Sequence, residues 1–582
     1  MSELVFRNDV WMTRGKRLPA KVSEPAPTVE TPAPGWATRS EFSEGLTVMP
    51  LPNRSAHRAG VVLDSSDPRN VLVDGSDVHK LIIGGTGSGK SRRIIMESIL
   101  TLVGTDEIAI VHDPKGEAFR MTGPVMAADG FSVRTLDLRN PRGSSGWNPF
   151  AWMYELYSRG TVDSRDKAFE MMASIAVIVC PILNKDDIYW EASAQFLIAG
   201  LGWEVLKNAK CAEDVSFFEI FDLCNSVFST EYSRDAFRQR IRDDKLQAMM
   251  IEPVLTNADN TRRCILSVAQ QHLLPFVQSA SVVDMLSRND TMLKDIVKGK
   301  TIVYIISPEE KAGLNPIVSI FVRLLYEYIL DTAYMNGKGT IDHTVHFMLD
   351  EFGNLPYIDN FSGMLTASRS RNIRYVITLQ SLNQLDDVYQ REANTIKGNC
   401  LCWMFMSSRD LSTLNEVSML AGEDRIRHPL ITPTELQRLR KESGEVLVLR
   451  DRKGPYMARL SDISAFGIDD SQATPVVRTP EPEFRFVSMV PQFTGLLSTP
   501  KHPVKLTSND IRMMQEFCDF IGFRGDAEEL VDIVREIATT CRYQETYDCL
   551  RRRGYLRRRD FGDEVRDALK PVRAKFGFLR VE

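Results

Sequence analysis

The 582-residue chain lacks the marks of several protein classes at once. Its longest charge-free apolar run inside a helix-like stretch is residues 171–183, 13 residues against the roughly 20 that cross a bilayer. No apolar stretch of the kind a signal peptide requires follows Glu3 and Asp9. The 9 cysteines are odd in number, scattered and without a Cys-x-x-Cys, so buried thiols in a reducing compartment are expected. The 8 histidines show no zinc spacing, and His343 and His346 lie on or beside an apolar strand, where core or ring-facing roles are expected. Positive charge is not in excess: Lys+Arg 72 against Asp+Glu 77 leave −5, so any nucleic-acid contact is local or pooled in an assembly. The expectation is a soluble, cytoplasmic protein, with peripheral docking at the inner face of the cell membrane left open.

With 43% apolar and 26% charged residues the chain reads as globular, and its length suggests about three to four domains. Residues 1–55 read as an extended, weakly ordered arm, with prolines at 25, 27, 32, 34, 50 and 52. Further on, short apolar runs end in polar or Gly-rich turns, at 81–83, 108–111, 133–138, 301–306, 345–349, 373–379 and 400–406. Helical spacing such as Ile317–Leu330 separates several of them, which indicates an α/β fold with a parallel sheet. Between 152 and 298 strand signals vanish and apolar residues recur every three or four positions, as at Leu197, Leu201, Ile265 and Val268. That pattern predicts an inserted all-α domain dividing the α/β domain into residues 56–151 and 299–470. A proline-bearing linker then leads into a small, helical, basic C-terminal region, 471–582. Its residues 551–580 hold eleven Lys/Arg against four acids, a local +7, with Tyr555 among the arginines. A nucleic-acid contact, a docking surface for an acidic partner and a solvated helix face all stay open there.

The strongest signal is Leu81-Ile-Ile-Gly84-Gly85-Thr86-Gly87-Ser88-Gly89-Lys90-Ser91, an apolar strand running into a Gly-rich turn and then a helix-like stretch. It fits the G-x-x-x-x-G-K-[ST] phosphate-binding loop in the context that motif needs. Glycines let the backbone turn its N–H groups toward phosphate oxygens, and the helix N-terminus adds partial positive charge. Lys90 is expected on the β- and γ-phosphates and Ser91 on magnesium.

A second apolar strand, 344–349, ends in Asp350-Glu351. In phosphate-loop enzymes such an Asp holds the magnesium shell, and an adjacent Glu takes a proton from the attacking water. The adjacent pair and the lack of a guanine-reading Asn-Lys-x-Asp favour ATP, with Mg2+, over GTP. The next strand ends at Gln380, a position that can sense the γ-phosphate. Arg369, Arg371 and Arg374 precede it and are candidates for a finger reaching a neighbouring subunit's site.

These pieces resemble the type IV secretion coupling ATPases, motors that bring DNA or protein substrates to conjugation and secretion machines. Asp113-Pro-Lys-Gly-Glu117, Asn148-Pro149, Tyr189-Trp-Glu-Ala192, Asp350-Glu-Phe-Gly-Asn-Leu-Pro356 and Gln380-Ser-Leu-Asn-Gln-Leu385 carry the resemblance, with Asn399, Asp410, Gly422 and the Pro429–Leu436 stretch behind them. It covers about residues 40–465.

The resemblance implies a RecA-like P-loop NTPase that works as a homo-hexameric DNA translocase. It also makes Arg369, eleven residues before Gln380, the preferred finger. Typical members begin with a membrane-anchoring hairpin where this chain has its proline-rich arm, so a membrane adaptor or the inner-membrane secretion ATPases are expected partners. DNA and a relaxase or other secreted protein are the expected substrates. The alternative is a weakly hydrolytic, nucleotide-binding receptor platform for protein substrates, which would not need the Glu351 carboxylate.

Overall fold

The computed structural model describes residues 35–53, 57–182, 188–307, 309–424 and 426–468. Its strands are β1 Thr47–Met49, β2 Val61–Asp64, β3 Val71–Asp74, β4 Lys80–Gly84, β5 Ile108–His112 and β6 Ser132–Asp137. After a long helical interval come β7 Thr301–Ile306, β8 Val345–Leu349, β9 Ile373–Leu379, β10 Cys402–Ser407, β11 Glu445–Arg450 and β12 Tyr456–Arg459.

Nine strands form one sheet in the order β12-β11-β10-β4-β9-β8-β5-β7-β6. From β10 to β6 neighbours run parallel, and these strands coincide with the seven apolar runs of the sequence. β4, β5, β7, β8 and β9 are buried along their whole length, as strands covered on both faces must be. The sheet is mixed, however. β11 adds antiparallel to β10, and β12 antiparallel to β11, at one edge beside the seven strands of the expected parallel sheet. A turn can join antiparallel neighbours directly, and the short interval between β11 and β12 leaves no room for a crossover helix.

Residues 35–53 correct the expectation of a weakly ordered arm reaching to 55. Thr38 and Glu41 close a capping box on the helix Arg39–Ser43, and β1 pairs antiparallel with β3 in a small sheet ordered β1-β3-β2. Phe42 is 1% exposed and stacks on Tyr456 with ring centroids 3.9 Å apart. Burial of one aromatic face thus outweighs the prolines around it. Residues 1–34 and the basic segment 551–580 lie outside the described residues.

Between β6 and β7 every described element is helical, including Ala151–Arg159, Val162–Val179, Ile188–Asn208, Phe217–Phe228 and Asp259–Val277. Asn148 fastens the entry to this run. Its amide donates to the carbonyls of Ala212 (2.8 Å) and Val215 (3.1 Å), and its Oδ1 accepts from Phe150 N at 2.8 Å. Of the two compact units into which the chain divides, one holds the sheet and every described residue before Asp222 and after Leu255. The other contributes Asp222–Leu255, where Arg238 pairs with Glu252 between two helices.

Pro316–Met335 corrects the reading based on charge-free runs. Among the described residues it belongs to the one stretch, Glu310–Met335, long and apolar enough to cross a membrane by length and composition. It is a core helix, 72% of its apolar window being buried inside the fold. Of its three charges, Arg323 and Glu327 pair with each other one turn apart and Asp331 pairs with Lys167. A helix covered on most sides is apolar on most sides.

Candidate active site

The sheet order sets β4, β9, β8 and β5 side by side, so their C-terminal ends form one row. Ligands in open α/β sheets collect along such a row. At the end of β4 the chain turns through Gly85–Gly89 into Ser91–Ile95 and the helix Met96–Leu100. Gly87 (φ +71°) and Gly89 (φ +94°) occupy the left-handed region that side chains disfavour. Gly84 is needed for another reason: a Cβ there would fall 2.5 Å from Ser88 Oγ and 3.0 Å from Lys90 Cγ. Ser88 Oγ is buried without a hydrogen-bond partner beneath the turn.

Lys90 is 4% exposed; its ammonium donates to the Gly84 carbonyl and stands 3.4 Å from Glu351 Oε1. Ser91 Oγ donates to Asp350 Oδ2 across 259 residues of sequence. Thr378 Oγ1 donates to Asp350 Oδ1 at 2.6 Å, and the Glu351 amide to the same oxygen at 3.0 Å. These donors hold Asp350 as an acceptor. The Glu351 amide also lies 2.9 Å from Thr378 Oγ1, and the residue sits at φ 48°, ψ 44°. A non-glycine residue there costs on the order of 1–3 kcal/mol, which the surrounding bonds must offset. The result aims the Glu351 carboxylate at the loop instead of along the sheet.

Gln380 follows β9 directly and joins the group from the other side. Its Nε2 donates to Glu351 Oε2 at 3.0 Å, its Oε1 accepts from Thr86 Oγ1 at 3.3 Å, and Gln384 Oε1 accepts from its backbone N at 2.8 Å. Three segments far apart in sequence, the loop, the end of β8 and the end of β9, therefore meet in one chain of contacts, Thr86–Gln380–Glu351–Lys90, beside Ser91–Asp350. The hydroxyl and carboxylate oxygens of Ser91 and Asp350 are the hard donors magnesium prefers, and the glycine turn with its orphaned serine suits phosphate oxygens.

Arg369 stands apart from this cluster. Its guanidinium is 40% exposed and reaches Asp77 Oδ1 at 3.4 Å, just ahead of β4. Arg371 Nη1 donates to the Ala367 carbonyl at 2.7 Å. Arg374 is removed from the finger candidates: it is 3% exposed within β9, and a buried arginine cannot reach a neighbouring chain.

Sequence reasoning missed a layer of supporting groups. The His112 ring donates from Nδ1 to the Asp350 carbonyl, since a carbonyl only accepts, and its Nε2 therefore accepts from Ser307 Oγ at 2.6 Å. Burial holds this imidazole neutral, with its pKa lowered to about 4. Burial likewise pushes the neighbouring Asp113 carboxyl up to about 7, with the charge of Asp350 adding to the rise. Asp113 Oδ2 accepts from the Phe119 amide at 2.9 Å, which fixes the turn after β5. The motif containing Asp113 was visible in sequence; its proximity to Asp350 was not. Asp410 has a structural part, capping the helix Leu411–Ala421 through the Thr413 amide at 2.8 Å.

A glycine phosphate loop, an acidic pair two strands away and a mostly parallel sheet define a P-loop NTPase of the RecA-like class. Residues 53–433 match the family described as Type IV secretory system Conjugative DNA transfer, and the chain belongs to that family. It is similar to the protein VirD4 of Rhizobium rhizogenes, 23% identical over 366 residues, 61% of this chain and 50% of that protein. It is also similar to the conjugal transfer protein TraG of Escherichia coli, 21% identical over 369 residues, 61% of this chain and 56% of TraG. The chain thus spans about half the length of these curated relatives. Among solved structures, the plasmid coupling protein TrwB in complex with ADP and Mg2+ superposes with a TM-score of 0.53 at 17% identity, covering 75% of this chain and 96% of that one. That likeness extends the match to the fold.

Proposed function

We propose that the protein is an ATP-hydrolysing coupling motor that recruits DNA, or relaxase-bound DNA, and delivers it to a type IV secretion machine as a homo-hexameric translocase. The observation that carries the reading is the Lys90–Glu351–Gln380 cluster: a carboxylate held within 3.4 Å of the loop lysine and 3.0 Å of the glutamine is more than nucleotide binding alone requires. ATP enters with its phosphates on the Gly84–Ser91 turn, where phosphate oxygens replace the Gly84 carbonyl and Glu351 as partners of Lys90. Ser91 and Asp350 would hold Mg2+, which neutralises charge on the phosphate oxygens. Glu351 accepts a proton from the attacking water. Gln380, bonded to both Thr86 and Glu351, reports the γ-phosphate to β9. Arg369 supplies a neighbouring subunit's site with the cation needed as charge spreads over the γ-phosphoryl oxygens. The TrwB complex with ADP and Mg2+ and the family's role in conjugative DNA transfer support the nucleotide and the substrate. The inner-membrane secretion ATPases or a membrane adaptor are the proposed docking partners.

The test is ATP hydrolysis by the purified protein with magnesium, alone and with single- or double-stranded DNA. The reading predicts turnover that DNA accelerates. Nucleotide binding without turnover under any of these conditions would favour a receptor platform instead.

A further inference from the structure

One cation near the loop plays no part in the cluster described above. Lys441 is exposed, yet its Nζ lies 3.4 Å from the point where a Cβ on Gly87 would sit, at the crest of the phosphate loop. Its backbone is held firmly. The Gly444 amide donates to the Lys441 carbonyl at 3.0 Å, and the Arg440 amide to the buried Glu445 carboxylate at 2.9 Å. The Leu460 amide donates to the Gly444 carbonyl at 2.9 Å, while Arg93, two residues beyond Ser91, donates to the Leu460 carbonyl at 2.6 Å. The turn carrying Lys441 is thereby tied to the helix that follows the phosphate loop.

Nearby cations are engaged: Arg92 pairs with Asp462 at 2.6 Å and Arg93 with the Leu460 carbonyl. Among the described residues, Lys441 has neither an ion pair nor a side-chain hydrogen bond. An ammonium held beside an anion-binding turn, with no carboxylate of its own, is poised for an anion that arrives from solution.

The sheet order gives its side. Gln380, Glu351 and Asp350 follow β9 and β8, which lie to one side of β4; Lys441 leads into β11, beyond β10 on the other. Glu351 marks the γ-phosphate end of the loop, so Lys441 meets the end of the phosphate chain nearer the nucleoside. We infer that Lys441 is a nucleotide-binding residue that contacts the α- and β-phosphates from the β11 side of the loop. This rests on the nucleotide-binding reading of Gly84–Ser91. A contact made equally to di- and triphosphate is uniform binding, so it acts on KM and leaves kcat alone.

The experiment measures binding of fluorescent ADP and of a fluorescent, non-hydrolysable ATP analogue to the full-length protein, its Lys441→Ala and Lys441→Arg variants, and Lys90→Ala. For Lys441→Ala the expected result is a loss of about 5- to 10-fold in affinity for both nucleotides at low salt, shrinking at high salt. Lys441→Arg should keep most of the affinity. In steady-state hydrolysis the Lys441→Ala KM should rise by the same factor with kcat unchanged. Wild-type affinity for both nucleotides in Lys441→Ala overturns the inference, and a loss confined to the triphosphate overturns its placement on the nucleoside side. Failure of the wild-type protein to bind either nucleotide would instead remove the phosphate-loop reading beneath it. Equal apo melting temperatures of the variants and wild type show that folding is not the cause.

Discussion

At the N-terminal edge of the sheet, Lys80 pairs with Asp74 at 3.6 Å and His346 with Glu107 at 2.5 Å, every side chain at most 9% exposed. At the C-terminal edge, Lys90 and Glu351 stand 3.4 Å apart with the carboxylate 15% exposed. β8 takes part in both, through His346 near its start and the Asp350-Glu351 pair that follows its end. The N-terminal pairs satisfy one another in ordinary strand geometry. The C-terminal group contains a left-handed glutamate and an orphaned serine hydroxyl. Buried charge is common to the two edges. What separates a site from a structural pair is partners that a ligand can replace, held by backbone that the fold has to constrain.

If that contrast is right, changes to the catalytic groups at the C-terminal edge should cost activity and leave the fold alone. The same holds for the proposed finger Arg369, which stands at the opposite end of the sheet beside Asp77. Arg369→Ala should bind ATP normally and lose about 10³-fold or more in turnover, the scale of a missing finger. Mixing it with Glu351→Gln subunits should restore some hydrolysis, because a mixed interface can pair an intact Glu351 with an intact Arg369. No recovery in a preparation shown to form rings and exchange subunits would reassign the finger to Arg371. Lys90→Ala should lower kcat/KM by about 10²- to 10³-fold with an unchanged apo melting temperature, which calorimetry checks.

The buried pairs at the N-terminal edge should behave in the opposite sense. Asp74→Ala strands Lys80 in the core and should lower unfolding free energy by about 3 kcal/mol in denaturant titrations, with kcat per folded molecule unchanged. A large loss of kcat there would erase the distinction between the two edges. The last effect concerns acid and is felt only as pH falls. His79 Nε2 donates to the Leu365 carbonyl at 2.9 Å and its Nδ1 accepts from the Tyr375 amide at 3.1 Å, so the ring is held neutral. Burial lowers its pKa to about 4 from 6.5. The unfolded chain therefore binds the proton first as pH falls. The stabilisation is present above about pH 6.5 and is lost progressively toward pH 4, by up to about 3 kcal/mol. His79→Asn should flatten that part of the stability–pH curve; an unaltered slope would mean that His79 is not its source.

Local signals were the ones legible in sequence. Gly84–Ser91 and Asp350-Glu351 are contiguous words whose spacing encodes their chemistry, and five of the seven parallel strands are continuous apolar runs because both their faces are covered. What escaped was set by contacts between distant segments. β1, β2 and β3 are only three or four residues long, and β11 and β12 sit at an edge, so neither group makes a long buried run. The helix Arg39–Ser43 was hidden by prolines nearby, although the aromatic contact of Phe42 with Tyr456 decides its place. His112 under Asp350 and Asp77 against Arg369 are pairings across 238 and 292 residues, which no window of sequence displays.

The central claim is that the Glu351 carboxylate, turned toward Lys90 by its left-handed backbone, drives hydrolysis. Its most direct test is Glu351→Gln, with ATP binding and turnover measured on the same preparation. The account predicts ATP affinity within a few-fold of wild type and turnover lower by at least about 10²-fold, the scale of a lost general base. Wild-type turnover in Glu351→Gln would contradict it.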